Sequence, residues 1–288
     1  ASDVYKRQVQ VATIQGSVPR AGYDFETQRR AVLNNHLAAT RDFMAKDASE
    51  TQLIIWPENA VDNDPINTQF VFNKVTALSK ELNTPLLVGG LVATGKGDSE
   101  YNAGILWSQG VPGQRYEKHQ LVPFGEYIPT GKFLRSWIER QFPYVPRMIP
   151  GTSDGTFSLP NNIIFGDVIC FEIANENFVR ERVRGGAQFI TVQTNNATYA
   201  STSQPAQQRN ITQFRAIENQ RNIIVAATTG YTVFIDTNGR VTHEVPVLSS
   251  GYIADKIALH SEQEFVHRWD SHWCVTLCVI LSLFGVSK

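Results

Sequence analysis

Five short apolar runs constrain the fold of this chain more than any other feature. They are "LIIWP" (53–57), "PLLVGGLV" (85–92), "IIFGDVI" (163–169), "QFITVQT" (188–194) and "NIIVAATT" (222–229). Each is short for a helix and rich in branched residues, so each reads as a buried strand. Stretches with helical spacing lie between them. Residues 25–46 place Ala31, Leu33, Leu37, Thr40 and Met44 near one helical face. Residues 68–82, the stretch after Cys170 to about Arg184, and residues 204–220 read the same way. Further strands are expected at "VQVATIQ" (9–15), "YNAGILWS" (101–108), "YTVFID" (231–236), "RVTHEV" (240–245) and 251–257, with "GQRYEKHQ" (113–120) continuing a hairpin-like pair. "TNGR" (237–240) predicts a type I′ hairpin turn, because Asn-Gly tolerates two positive φ angles. Without internal repeats or a low-complexity linker, this alternation predicts one α/β domain of mixed strands with helices layered on sheet.

A chain of 288 residues, 42% of them hydrophobic, can bury a sizeable core. Its net charge of −1 supplies no field of the kind that gathers nucleic acid, so no nucleic-acid partner is expected. The three cysteines, Cys170, Cys274 and Cys278, are too few and odd in number for a disulfide framework. Cys274 and Cys278 can share a helical face, but no histidine or second cysteine pair completes a zinc pattern, so no metal is expected. The opening residues do not read as a signal peptide, and "ASDVYKRQ" does not fit the strand that follows it.

Two segments break the alternation. "HWCVTLCVILSLFGV" (272–286) is almost wholly apolar yet shorter than the roughly 20 residues that span a bilayer. It fits a buried terminal element, and equally a membrane helix cut off partway. Trp269 and Trp273, with His267, Arg268 and His272, resemble an interfacial anchor. The second segment, "TGKFLRSWIERQFPYVPRMIPG" (130–151), carries Phe133, Leu134, Trp137, Ile138 and Phe142 on one helical face, with Lys132, Arg135, Arg140 and Arg147 around it. It reads either as a helix packed on the core or as a basic, aromatic arm at a membrane surface.

Three polar residues stand where strands should end: Glu58 after "LIIWP", Lys118 after "RYE" and Cys170 after "IIFGDVI". Singly they are ordinary, since a lone cysteine is most often a small core residue. Together they form a chemical set. A carboxylate can take a thiol proton, and an ammonium lowers the thiol pKa and stabilises the oxyanion of a tetrahedral intermediate. A Cys–His dyad with His119 is a weaker alternative, because on a strand His119 and Lys118 face opposite sides.

Glu, Lys and Cys at successive strand ends resemble the nitrilase, or carbon–nitrogen hydrolase, superfamily. "YEKHQLVPFGEYIP" (116–129), "LIIWPENA", "ICFEIANE" and "TNNATY" narrow the resemblance to the apolipoprotein N-acyltransferase family, over roughly residues 9–257. The resemblance implies a nitrilase-like α-β-β-α sandwich, with a catalytic domain at 9–260 and an apolar segment at 261–288 that begins a membrane helix. It implies Glu58 as general base, Lys118 as oxyanion and thiolate stabiliser, and Cys170 as nucleophile. Glu126 and Glu172 match accessory glutamates, and Phe171 stands in the same supporting shell where a tyrosine is usual. Trp137, Asn196 and Tyr199 are the expected substrate contacts. Thr198 and Ala200 depart from the family's "NNAWFG" pattern and alter that loop. The implied reaction passes a fatty acyl chain from phospholipid through a cysteine thioester to the α-amine of a lipoprotein's S-diacylglyceryl cysteine. No cofactor is implied, and the domain would lie on the extracytoplasmic face of the cell membrane. The alternatives are a soluble amidase of the same superfamily, with water as second nucleophile, and a non-catalytic membrane-associated binding domain.

Overall fold

The computed structural model describes residues 7–18, 25–48, 50–61, 63–129 and 147–261, with backbone alone for 25–29. From the N-terminus the elements run β1 (Gln8–Gln15), α1 (Phe25–Lys46), β2 (Leu53–Ile55), α2 (Gln69–Leu82), β3 (Leu86–Ala93), β4 (Glu100–Ser108) and β5 (Val111–Glu117). Next come β6 (Thr156–Leu159), β7 (Ile163–Ile169), a 3₁₀ turn at Cys170–Ala174, and α3 (Glu176–Arg184). They are followed by β8 (Phe189–Thr194), α4 (Gln204–Asn219), β9 (Ile223–Ala227), β10 (Thr232–Ile235), β11 (Val241–Val245) and β12 (Gly251–Ala258).

Among the described residues the strands form two six-stranded sheets, in the orders β12-β1-β2-β3-β4-β5 and β11-β10-β9-β8-β7-β6. Each has a parallel centre, β1-β2-β3 in one and β7-β8-β9 in the other. Antiparallel strands complete the flanks, with β12 along β1 from Gln8↔Ala258 to Gln15↔Gly251.

Three apolar layers hold the sandwich together. Val9, Val11, Ile55, Leu87, Phe165, Ile169, Phe189 and Ile224 pack between the two sheets. The other face of the first sheet, through Ile54, Trp56, Val88 and Trp107, meets Leu33, Leu37 and Phe43 of α1 and Val71, Val75 and Leu78 of α2. Val168, Ile190, Val192 and Val225 meet Val179 and Val183 of α3 and Ala216 of α4. The result is the helix-sheet-sheet-helix sandwich. The central strands are apolar on both faces because both faces are covered.

The β10–β11 hairpin forms where expected, but its turn is not type I′. Of the two turn residues, Gly239 alone is left-handed, at φ 75°. Asp236 explains the difference. Its Oδ1 accepts the N–H groups of Asn238 and Arg240 at 2.8 and 2.9 Å, and its main-chain oxygen accepts that of Gly239 at 2.9 Å. That is a type I turn closed by a glycine bulge at Gly239, and the strand pair shifts register separately, between Phe234 and Ile235, where Thr242 is passed over.

Candidate active site

The carboxyl ends of the central strands of both sheets lie at one end of the sandwich, and the polar residues gather there. β2 stops because Pro57 has no N–H to give the ladder. The chain then leaves the sheet at Trp56 and delivers Glu58, which is buried. Gly89 on β3 permits this path. A Cβ on Gly89 would lie 2.2 Å from Pro57 O and 2.8 Å from Glu58 Cα. Asn102 Nδ2 donates to Glu58 Oε1 at 2.6 Å, and the Asn195 main-chain N–H donates to Oε2 at 2.7 Å.

Lys118 follows β5 and is 1% exposed. Its main chain is held on both sides, its N–H by Asn102 O at 2.8 Å and its oxygen by the Gly151 N–H at 2.9 Å. Its Nζ lies 2.7 Å from Glu126 Oε1 and 3.6 Å from Glu58 Oε1. Glu126 is fixed by its own turn, where Oε2 accepts the Val122 N–H at 2.8 Å, and Oε1 also takes a 3.1 Å bond from Asn102 Nδ2. One buried ammonium thus stands between two buried carboxylates, with Asn102 bridging them.

Cys170 is the first residue after β7 and has a left-handed backbone, φ 54°. A sharp turn of this kind lifts a side chain off the strand end. Glu172 braces it: Oε2 accepts the Ile169 N–H at 2.8 Å, while Oε1 accepts Tyr116 Oη at 2.8 Å, the His119 N–H at 2.7 Å and the Gln120 N–H at 3.1 Å. Glu172 therefore ties the Lys118 segment to the Cys170 turn and lies beneath the site. Gln208 of α4 donates to Cys170 O at 3.0 Å.

The electrostatics set the pull of Lys118 on the thiol against larger opposing effects. Lys118 does pull the thiol pKa down, as does a hydrogen bond with Thr194, but burial and then the charge of Glu58 outweigh both, and the thiol is pushed up to about 12. Burial also raises the Glu58 pKa, Glu126 adding to it, against Lys118, Asn102 and the Asn195 N–H. Burial works to lower that of Lys118, but Glu58, Cys170 and Glu126 prevail and keep the ammonium charged. For the thiol, burial is the first cause and the charge of Glu58 the second, since a thiolate there would lose its hydration and face a carboxylate. The site at rest is a neutral thiol, and its proton must move as the sulfur attacks.

The structure brings Glu58, Lys118, Cys170 and Glu126 together, with Glu172 one layer below. Phe171 is 47% exposed. Asn196 is buried, and its Nδ2 donates to Gln208 Oε1 at 2.9 Å, so its amide holds the loop onto α4. Tyr199 is exposed on the same loop. The His119 ring packs against Tyr116 and Phe178, with centroids at 5.4 and 6.1 Å. Trp137, its apolar stripe, Cys274, Cys278 and the C-terminal run lie outside the described residues. Sequence reasoning missed Asn102, Asn195 and Gln208. The "NNATY" segment pointed to the loop, but the contact to Glu58 comes from the main chain of its first asparagine. Nothing in "YNAGILWS" marks Asn102 as more than a strand residue.

A family model described as carbon-nitrogen hydrolase matches residues 10–265. Among curated proteins, the apolipoprotein N-acyltransferase of Mycolicibacterium smegmatis is 34% identical over 273 residues, covering 91% of this chain and 45% of that protein. That of Geobacter metallireducens is 29% identical over 233 residues, covering 77% and 43%. The chain spans about half the length of the curated relatives it matches. Among solved structures, Saccharomyces cerevisiae Nit3, a member of branch 10 of the nitrilase superfamily, aligns with a TM-score of 0.63 at 18% identity over 90% of this chain and 93% of that one. An amidase from Nesterenkonia aligns at 0.64 and 15% over 93% and 96%. These two show the fold.

Proposed function

The chain belongs to the carbon–nitrogen hydrolase family, and from that premise we propose that it is the catalytic domain of an apolipoprotein N-acyltransferase. The carrying observation is its 34% identity to a protein of that name across 91% of its length. In this reading residues 9–260 form the catalytic domain and 261–288 begin a membrane helix. Glu58, Lys118 and Cys170 are the catalytic residues, Glu126 and Glu172 support them, and Trp137, Asn196 and Tyr199 line the substrate side.

The reaction runs in two halves. Cys170 Sγ attacks the ester carbonyl of a phospholipid as Glu58 takes the thiol proton. The oxyanion forms beside the Lys118 ammonium and the Phe171 main-chain N–H. Collapse breaks the ester C–O bond, the departing alcohol oxygen takes the proton from Glu58, and a thioester remains. The α-amine of an S-diacylglyceryl cysteine then attacks. Such an amine has a pKa near 8, so a useful fraction is neutral near pH 7. Glu58 takes the amine proton, the C–S bond breaks, and the proton returns to sulfur as the amide is released. No cofactor takes part.

A feature of the surface supports lipid substrates over a small soluble amide. Phe124, Phe171, Tyr199, Val247 and Leu248 are all exposed, and all lie on loops at the end of the sandwich that carries Cys170. Such a face suits a bilayer surface, and the domain would meet the membrane from its extracytoplasmic side. Among the described residues no helix is long and apolar enough to cross a membrane.

The test is intact-mass analysis after incubation with phospholipid vesicles, followed by a peptide bearing N-terminal S-diacylglyceryl cysteine. An acyl adduct should appear on Cys170 and pass to the peptide, and Cys170→Ala should show neither. An adduct-free parent that hydrolyses simple amides would replace this reading with the soluble amidase.

A further inference from the structure

Asp167 is a buried ionisable group that the chemistry above leaves unused. It lies on β7, three residues before Cys170, and is fully buried. Its neighbour Val168 faces the helices, while Phe165 and Ile169 face the first sheet, so strand alternation turns Asp167 inward between the sheets. Oδ1 accepts the Thr191 hydroxyl at 2.6 Å. Oδ2 has no hydrogen-bond partner, nor does the nearby Gln193 Oε1. Both oxygens converge on Gly104, where a Cβ would lie 2.7 Å from the first and 2.4 Å from the second. Two buried acceptors thus share one point with no donor between them. Each left so has given up its hydrogen bonds to water with nothing in return, and a bare buried carboxylate loses the most.

Turning the Gln193 amide over does not help. Its Nε2 donates to the Trp56 main-chain oxygen at 2.6 Å. That oxygen can only accept, so the amide oxygen must face Asp167. A single proton on Asp167 satisfies every group.

We propose that Asp167 stands as a carboxylic acid whose O–H donates to Gln193 Oε1, and that the pair is a positioning device for Glu58. Gln193, locked in this orientation, holds Trp56 O from the second sheet. Gly89 backs the same segment from the first sheet, through its contact with Pro57 O. Glu58 is placed between these two restraints. Burial acts in the same direction, raising the Asp167 carboxyl well above the usual range, with Glu172 adding to it against Thr191 and Arg182. The charged groups around it are Arg182, whose Nε donates at 3.0 Å to the Asp167 main-chain oxygen, and Glu172; the Tyr116 phenol also senses its charge. Loss of the proton would draw the Gln193 amide group toward Asp167 and set its oxygen against Trp56 O. The functional part rests on Glu58 being the base in the reading above.

Three measurements on the chain test this. Infrared spectra at pH 7 should contain a protonated-carboxyl C=O band that Asp167→Asn removes. Asn presents an amide N–H to Gln193 and an oxygen to Thr191, so Asp167→Asn should keep Cys170 acylation within about tenfold of the parent. Gln193→Glu sets an oxygen against Trp56 O and should lower kcat about 10²-fold with KM held, the scale of an ångström's misplacement. The pH profile of Cys170 alkylation senses the Glu58 charge without any acyl substrate. It should shift in Gln193→Glu and not in Asp167→Asn. A spectrum in which Asp167→Asn removes no such band overturns the proposal, as does an alkylation profile that Gln193→Glu leaves in place. Failure of the parent to acylate would instead count against the acyltransferase reading, with the band and the alkylation profile still deciding this one.

Discussion

The main-chain N–H of Asn195, at the end of one sheet, donates to Oε2 of Glu58, at the end of the other, at 2.7 Å. Each sheet thus holds part of one site. The first contributes Glu58, Asn102 and Lys118, with Glu126 in the turn after β5, and the second contributes Cys170 and Asn195. The constellation exists only when the layer of Phe165, Phe189, Leu87 and Ile55 between the sheets is closed. Alignment of proton acceptor and sulfur is a property of the core, so small changes in packing should be read in the rate before they are read in the fold.

Gly89→Ala is the sharpest such change. The added Cβ would meet Pro57 O at 2.2 Å and Glu58 Cα at 2.8 Å, both main-chain atoms that cannot swing aside. Glu58 should move by a fraction of an ångström or more, lowering kcat by up to about 10²-fold. The overpacking should also cost about 1–3 kcal/mol of stability. Acyl-transfer kinetics and thermal melting on the same sample check this, and a variant with unaltered kcat would show that Glu58 tolerates displacement.

Lys118→Met keeps the stem and removes the ammonium. Acyl transfer should fall on the order of 10²-fold or more, the effect of losing one oxyanion donor. Glu58 and Glu126 would also lose their shared cation. Breaking a buried pair costs roughly 3–5 kcal/mol, so a lower Tm should accompany the loss. The thiol is already pushed up to about 12, and Lys118 opposes that rise. Removing it should slow Cys170 alkylation further at any pH below that value. Alkylation rates equal to the parent's across pH 7–10 would separate Lys118 from the thiol.

Much of this arrangement was legible in the sequence, because unbroken apolar runs such as "IIFGDVI" leave a strand little choice but to be covered on both faces. The ends of two of those runs located Glu58 and Cys170, and the end of the "RYE" strand located Lys118. What stayed hidden depends on atoms brought together from distant segments. Asn102 and Glu58 are 44 residues apart, and Asn195 acts on Glu58 through its main chain, which any residue but proline could do. The upward shift of the thiol pKa was hidden too. It follows from burial and Glu58, whose depths a strand-end pattern does not give. The "TNGR" turn went another way because the Asp236 side chain competes for its N–H groups.

The exposed apolar loops give a prediction about substrate form. Val247 and Leu248 are exposed on the loop between β11 and β12, which Leu248 pins to Thr229 through its N–H at 2.8 Å. A Val247→Glu/Leu248→Glu double variant places two charges on that face without touching Glu58, Lys118 or Cys170. Activity on phospholipid vesicles should drop by about tenfold or more, since each charge resists burial at a lipid surface. Activity on a short, water-soluble ester should hold. Equal losses on both donors would mean that the loop supports the fold rather than a lipid contact.

His36 links acid stability to the same site. It is buried on α1, its Nδ1 lies 2.8 Å from Val32 O, its Nε2 has no hydrogen-bond partner, and its ring packs on Trp56 at 5.6 Å. Burial lowers its pKa from 6.5 to about 4, against the opposing bond to Val32. The sign follows directly. Between those values the unfolded chain binds a proton that the folded chain refuses, so stability is full above 6.5 and is lost as pH falls through about 4. The slope should approach about 1.4 kcal/mol per pH unit. His36→Phe keeps a flat ring against Trp56 and removes the titration, so it should flatten denaturant-midpoint profiles across that window. The Trp56–Pro57–Glu58 segment should then hold its place at lower pH, and acyl transfer by His36→Phe should survive further into acid than that of the parent. Identical stability profiles for parent and variant between pH 4 and 6.5 would show that other groups carry the acid sensitivity.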